Sequence, residues 1–203
     1  RVLAIDLDPQ SNLSMSQGID VENLGVTMFD ILVKGYPLSD IIQAREIDIA
    51  PAGIELAGAE LALSAMIGRE RQLERAIKPY LDLYDFILID TPPSLGLLTI
   101  NAMVACDGVI VPVQCEYLSL RGLAQLNQTL AQVREHLNPR VGIVGIVPTM
   151  YDGRTVHCRE AVMVLEENFG DVVHQTRIGK TVKFAEAPVV GKSVLAYDSS
   201  GQA

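Results

Sequence analysis

The sequence predicts an α/β protein: a doubly wound, mostly parallel sheet with helices on both faces. Three observations carry that expectation. Several short runs are apolar at consecutive positions, as in Phe86–Asp90 (FILID), and such runs belong to strands covered on both faces. Helical patterns alternate with these runs along the chain. Each run then gives way to polar residues, and in such sheets ligands bind beyond the carboxyl ends of the strands.

Taken in order, Val2–Asp6 is a short apolar run ending in acid. Residues 27–33 (TMFDILV) read as a short helix closed by Gly35 and Pro37. Residues 47–51 form a short strand. Residues 54–66, rich in Ala and Leu, and the charged amphipathic stretch 70–81 are helical. After the strand at Phe86–Asp90 come two further apolar runs, 108–113 (GVIVPV) and 141–147 (VGIVGIV). Between them, residues 119–137 place Leu120, Leu123, Leu126, Leu130 and Val133 on one helical face. A helix over 155–169 and a strand over 172–178 complete the pattern. No linker-like stretch or internal repeat interrupts residues 1–203, so one domain is expected.

Composition narrows the classes. With 49% apolar residues and 20% charged, the 203-residue chain is neither disordered nor a fibre. Three cysteines exclude a disulfide scaffold. Cys106, Cys115 and Cys158 lack zinc or iron–sulfur spacing, and His136, His157 and His174 form no metal pair. No apolar run approaches the ~20 residues a spanning helix needs. The net charge of −9 is uneven: residues 1–148 carry 10 Lys/Arg against 18 Asp/Glu, residues 149–203 carry 6 against 7. An anion-binding face is therefore expected in the last quarter, or built from a local cluster.

The rim residues are specific. Asp6-Leu7-Asp8-Pro9-Gln10 follows the first strand, and Asp90-Thr91-Pro92-Pro93-Ser94 follows the strand at Phe86. Four apolar residues closed by Asp are the Walker B pattern, which sets a carboxylate beside nucleotide phosphates and Mg²⁺. Helix capping is the bland alternative. With VPVQCEY, TMYDGRT and KFAEAP following in order, nearly the whole chain resembles the ParA/Soj family of partitioning ATPases, which have a P-loop NTPase-like fold.

The resemblance implies roles residue by residue. Asp8 matches the acid that orients the water attacking the γ-phosphate of ATP. Asp90 matches the Walker B carboxylate that supports Mg²⁺, and Asp6 looks like its structural or metal-shell companion. Thr91, Pro92 and Pro93 match the segment that senses the γ-phosphate. Pro188, in KTVKFAEAP, falls in the element near the adenine pocket. That element opens Gly179-Lys180-Thr181 where family members often carry Pro-Arg-Asn. Arg154 matches a cation that binds non-specific DNA in the ATP-bound homodimer, and Lys180 and Lys183 sit where further basic contacts occur. The family also implies a ParB-like centromere-binding partner, a cytosolic, nucleoid-associated location, and no membrane.

The phosphate-binding motif Gly-x-x-x-x-Gly-Lys-[Ser/Thr] does not occur in the 203 residues. Gly179-Lys180-Thr181 is not a substitute, because His occupies position 174, where the motif requires Gly. With Arg1 already inside a strand and a stop at Ala203, the chain reads as a domain lacking its P-loop and a C-terminal helix. On its own it is expected to bind ATP poorly and to be inactive, its parent protein being the ATP hydrolase. A MinD-like membrane-positioning ATPase and a non-catalytic fragment are the alternatives. An iron–sulfur carrier of the same fold is disfavoured, because Thr91-Pro92-Pro93-Ser94 lacks the cluster-bridging Cys and no Cys-x-x-Cys occurs.

Overall fold

In the computed structural model of the protein, which describes residues 1–115 and 119–199, β1 (Val2–Asp6) is an inner strand. It is hydrogen-bonded on both edges to parallel neighbours. The described residues group into two compact units: Arg1–Ala105 with Lys183–Ser199, and Cys106–Val182.

The first unit is built on a sheet of order β2-β3-β1-β4, with β2 (Gln43–Ala44), β3 (Asp48–Ala50) and β4 (Phe86–Asp90). Only β2 runs antiparallel, to β3. Leu3, Ile5 and Ile49 are fully buried, as an inner strand with apolar residues at every position requires. The register aligns Ile5 with Ile89 and Asp6 with Asp90, so β1 and β4 end together. The helices of this unit are short: α1 (Asn12–Ser16), α2 (Ala59–Ser64), α3 (Gln72–Ile77), α4 (Leu97–Ala105), and, from the returning segment, α7 (Lys183–Glu186) and α8 (Val194–Tyr197). They bury Leu63, Leu73 and Leu98 against the sheet core, and Leu56 joins them from the 3₁₀ turn Ile54–Gly58.

The second unit pairs β5 (Val109–Gln114) with β6 (Ile143–Thr149) in parallel. It adds α5 (Ser119–His136) and α6 (Val156–Phe169). Leu123, Leu130 and Val133 are buried on α5 as the periodicity predicts, and Leu126 lies against the same cluster. Leu120 falls outside the residues whose side chains are described, as do Glu116 and Tyr117 of the VPVQCEY element.

Four expectations need correction. β4 is not covered on both faces among the described residues: Phe86 is 67% and Leu88 52% exposed. The two alternate along the strand and so lie on one face, while Ile87 and Ile89 on the other pack against the core. Residues 70–81 are not one helix. Three-residue 3₁₀ turns at Arg69–Arg71 and Lys78–Tyr80 flank α3, the second holding Pro79, which cannot donate a helical N–H. The stretch at 27–33 is helical but continues as a π-turn over Asp30–Lys34, ending at Gly35 with φ 73°. Residues 172–178 form no continuous strand. Val173 and Gly179 make isolated parallel bridges to Ile146 and Tyr151, and a 3₁₀ turn precedes them.

Candidate functional site

The ends of β1 and β4 bring Asp6, Asp8 and Asp90 to one rim of the first unit. The shared register does this directly, and the Leu7 N–H donates to the Asp90 carbonyl at 2.8 Å just past the strand end. Asp8 follows on a tight turn. Its N–H donates to Asp6 Oδ1 at 3.1 Å, and its own Oδ1 accepts from the Gln10 N–H at 2.9 Å. Ser11, at φ 55°, then turns the chain into α1.

Asp6 is fully buried, and both of its oxygens are engaged by protein donors. Oδ2 accepts from the Ser14 N–H at 2.9 Å and the Ser14 hydroxyl at 2.7 Å. The Ser14 Oγ in turn accepts from the Ala52 N–H at 3.2 Å, beyond the end of β3. Burial raises the Asp6 pKa, and the Ser14 donors oppose that rise. A place in a metal shell would cost Asp6 these bonds. Its geometry is that of a clasp that fixes the Asp8 turn.

Asp90 differs. It is solvent-exposed at the strand end. Partial desolvation, then repulsion from Asp6 and Asp8, raises its pKa. A cation beside it would relieve that repulsion. Among the described residues, no group of three or more His, Cys, Asp or Glu is arranged to hold a metal alone. The donor set fits a hard cation such as Mg²⁺, which takes one or two carboxylates and draws its other ligands from water and phosphate. Thr91 and Pro92 are half-buried after Asp90, and Pro93 is exposed. Pro188 lies exposed in the 3₁₀ turn Ala187–Val190. That turn meets the end of α1 where Gly191 approaches Gly18 so closely that a Cβ on Gly191 would lie 3.2 Å from the Gly18 Cα.

Ser14 escapes a reading of the sequence. It lies eight residues beyond Asp6, and its second partner is 38 residues further on, so no local motif marks it. Ser14→Ala should leave Asp6 Oδ2 without its hydroxyl donor and the Ala52 N–H without its acceptor. We expect a loss of about 2 kcal/mol in unfolding free energy, measured by urea titration. Unchanged stability would remove Ser14 from the clasp.

In the second unit, Arg154 and Lys180 come together through the bridge between Tyr151 and Gly179. Arg154 is held by Asp152 in a two-pronged ion pair, Nε to Oδ1 at 2.9 Å and Nη2 to Oδ2 at 2.8 Å, with the guanidinium side chain 90% exposed. Those hydrogen bonds, with Lys180 adding attraction, lower the Asp152 pKa to about 2. Lys180 is exposed. Lys183 belongs to the first unit, where it pairs with Glu186 at 3.2 Å and lies over the Tyr197 ring. Among the described residues no helix is long and apolar enough to cross a membrane.

Comparison with known proteins decides the family. A family described as an AAA domain matches residues 1–143. The sporulation initiation inhibitor protein Soj of Bacillus subtilis is 44% identical over 98% of this chain and 79% of its own length. The chain belongs to the ParA/Soj family of P-loop ATPases. The chromosome partitioning protein ParA of Caulobacter vibrioides is 41% identical over 98% of the chain and 76% of its own length. An uncharacterized protein of Mycobacterium tuberculosis is 44% identical, and there the ParA/Soj chain spans 63% of the relative's length. Among solved structures, a protein of Mycobacterium smegmatis titled cobyrinic acid a,c-diamide synthase, with bound ATP analog and magnesium, superposes with TM-score 0.84. It is 35% identical over the whole of this chain and 84% of its own. The α/β architecture expected from the sequence is thus the P-loop NTPase-like fold.

Proposed function

We propose that this chain is the hydrolytic and DNA-binding part of a ParA/Soj-type partitioning ATPase. The observation that carries the reading is the convergence of Asp8 and Asp90 at the joined ends of β1 and β4, in the chain order the family shares. The names of the relatives support the partitioning role, and the ATP analog and magnesium of the solved relative support the nucleotide and cation.

In this reading Asp90 holds Mg²⁺ through its exposed carboxylate, with Thr91, Pro92 and Pro93 beside the terminal phosphate and Pro188 near the base. Bound Mg²⁺ supplies charge neutralisation on the phosphate oxygens. Asp8, held by the Asp6 clasp, orients the attacking water and receives its proton. Little else is asked of the protein, because phosphoryl transfer to water depends on placement and charge. Asp6 acts as a positioning residue rather than as a metal ligand.

ATP binding favours a homodimer, which doubles the exposed Arg154 and Lys180 and the half-buried Lys183. A two-fold array of this kind gives sequence-independent, salt-sensitive DNA binding. A ParB-like partner then stimulates hydrolysis and releases the DNA, in the cytosol at the nucleoid. The test is DNA retention by the ATP-hydrolysing protein in the presence of Mg-ATP, Mg-ADP or no nucleotide. Retention with Mg-ATP alone is expected, followed by phosphate release. Equal retention in all three conditions, or no phosphate release, overturns the reading.

A further inference from the structure

The second unit holds a pair of thiols that the hydrolytic reading does not use. Cys115 directly follows β5 and is anchored there, its N–H donating to the Thr149 carbonyl at 3.2 Å. It is 3% exposed. Cys158 lies in the first turn of α6, its N–H donating to the capping Thr155 hydroxyl at 3.4 Å. The two are 43 residues apart in sequence, yet the Cys158 Sγ donates to the Cys115 carbonyl at 3.7 Å. The side chains share one small apolar cluster as well, with Ala161, Val162 and Tyr151. Both belong to the same unit, Cys158 within α6 and Cys115 tied to the end of β6 by its backbone hydrogen bond to Thr149.

We propose that Cys115 and Cys158 form a redox-modification site, a dithiol that a hydroperoxide converts reversibly to a disulfide. Cys158, partly exposed, meets the oxidant first, while Cys115 is buried. The Cys158 thiolate attacks one peroxide oxygen; an S–O bond forms, the O–O bond breaks, and the departing hydroxide takes a proton to become water. The Cys115 thiolate then attacks the Cys158 sulfur. The S–S bond forms, the S–O bond breaks, and hydroxide leaves as a second water with the proton that Cys115 gave up. Two thiol sulfurs are oxidised and one peroxide is reduced, so the electrons balance. Burial, together with the nearby Cys158 sulfur, raises the Cys115 pKa, which disfavours Cys115 as the first thiol to react with the oxidant.

The structural consequence follows from the anchors. A bond between these sulfurs ties the end of β5 to the first turn of α6. The Tyr151–Gly153 turn and Arg154 immediately precede that helix turn, so the bond also restrains the segment carrying Arg154. Cys106 is the internal control. It precedes β5, and a six-residue strand separates it from Cys115 by roughly 20 Å, beyond the reach of a disulfide.

The test uses the reduced chain treated with a small excess of hydrogen peroxide, then denatured for thiol titration and peptide mapping. Thiols should fall from three to one. One cross-linked peptide should carry positions 115 and 158. The melting temperature should rise by several degrees, and dithiothreitol should restore all three values to their starting points. Cys106→Ser should fall from two thiols to none. Cys158→Ser should keep both of its thiols. Persistence of three thiols in the unmodified sequence, a bridge that includes Cys106, a bridge between two chains, or thiol loss in Cys158→Ser each overturns the proposal.

Discussion

Asp8→Ala is expected to reduce ATP turnover of the ATP-hydrolysing protein by roughly 10²–10⁴-fold while leaving nucleotide affinity unchanged or tighter. The direction follows from what Asp8 does and does not touch. Its turn is fixed by the Asp6 carboxylate from behind and by the Gln10 N–H in front, so the side chain arrives at the rim already oriented. A prepositioned carboxylate lowers the barrier for a water that needs alignment and a place for its proton. The same carboxylate adds to a rim where Asp6 and Asp90 already repel phosphate, so its removal does not weaken binding of a polyanion. The kinetic signature is a fall in kcat with KM flat or falling, which marks a group acting on the transition state. Steady-state phosphate release and fluorescent-nucleotide titration separate the two quantities. Turnover within a factor of about two of the parent would remove Asp8 from the reaction.

The contrast between Asp8 and Asp6 shows where a sequence is readable and where it is not. Both strands and both of their terminal acids were legible, because each is a short run of consecutive apolar residues closed by Asp. Asp-x-Asp does not say which acid faces solvent. That distinction rests on Ser14, which donates to Asp6, and on the Ala52 N–H, which reaches the Ser14 hydroxyl only after β1 and β3 pair. The long helices α5 and α6 were legible for the same reason as the strands: their periodicity is carried by burial of Leu123, Leu130 and Leu165. The short elements were not. At Lys78–Tyr80 a proline resets the hydrogen bonding. At Asp30–Lys34 the Asp30 carboxylate caps the Thr27 N–H and pairs with Lys34, local chemistry that periodicity does not encode. The exposure of β4 was hidden too, since a run such as FILID reads alike whether one or both of its faces are covered.

Arg154→Glu is expected to weaken DNA binding at least ~10-fold on every sequence tested and to flatten the salt dependence by about one counterion per Arg154 removed. The structure adds a second arm, because Arg154 is not a bare cation. Asp152 takes the Nε–Nη2 edge of its guanidinium, and with a pKa lowered to about 2 it stays charged at any pH at which DNA binding is measured. An exposed pair of this kind contributes little to stability, so a phosphate, which accepts the same two-pronged geometry, can displace the carboxylate. Asp152 is then a competitor, and Asp152→Asn should tighten DNA binding several-fold. Fluorescence anisotropy across a salt series, with Mg-ATP present, measures both changes. A double-mutant cycle separates the competitor reading from simple removal of negative charge. Where Asp152 acts by holding Arg154, the gain from Asp152→Asn collapses in the Arg154→Glu background to the residue due to neighbouring Lys180, whose attraction to Asp152 is the weaker of the two. A gain that persists undiminished would mean that Asp152 acts on DNA directly, and the two-pronged pair would have no part in setting affinity.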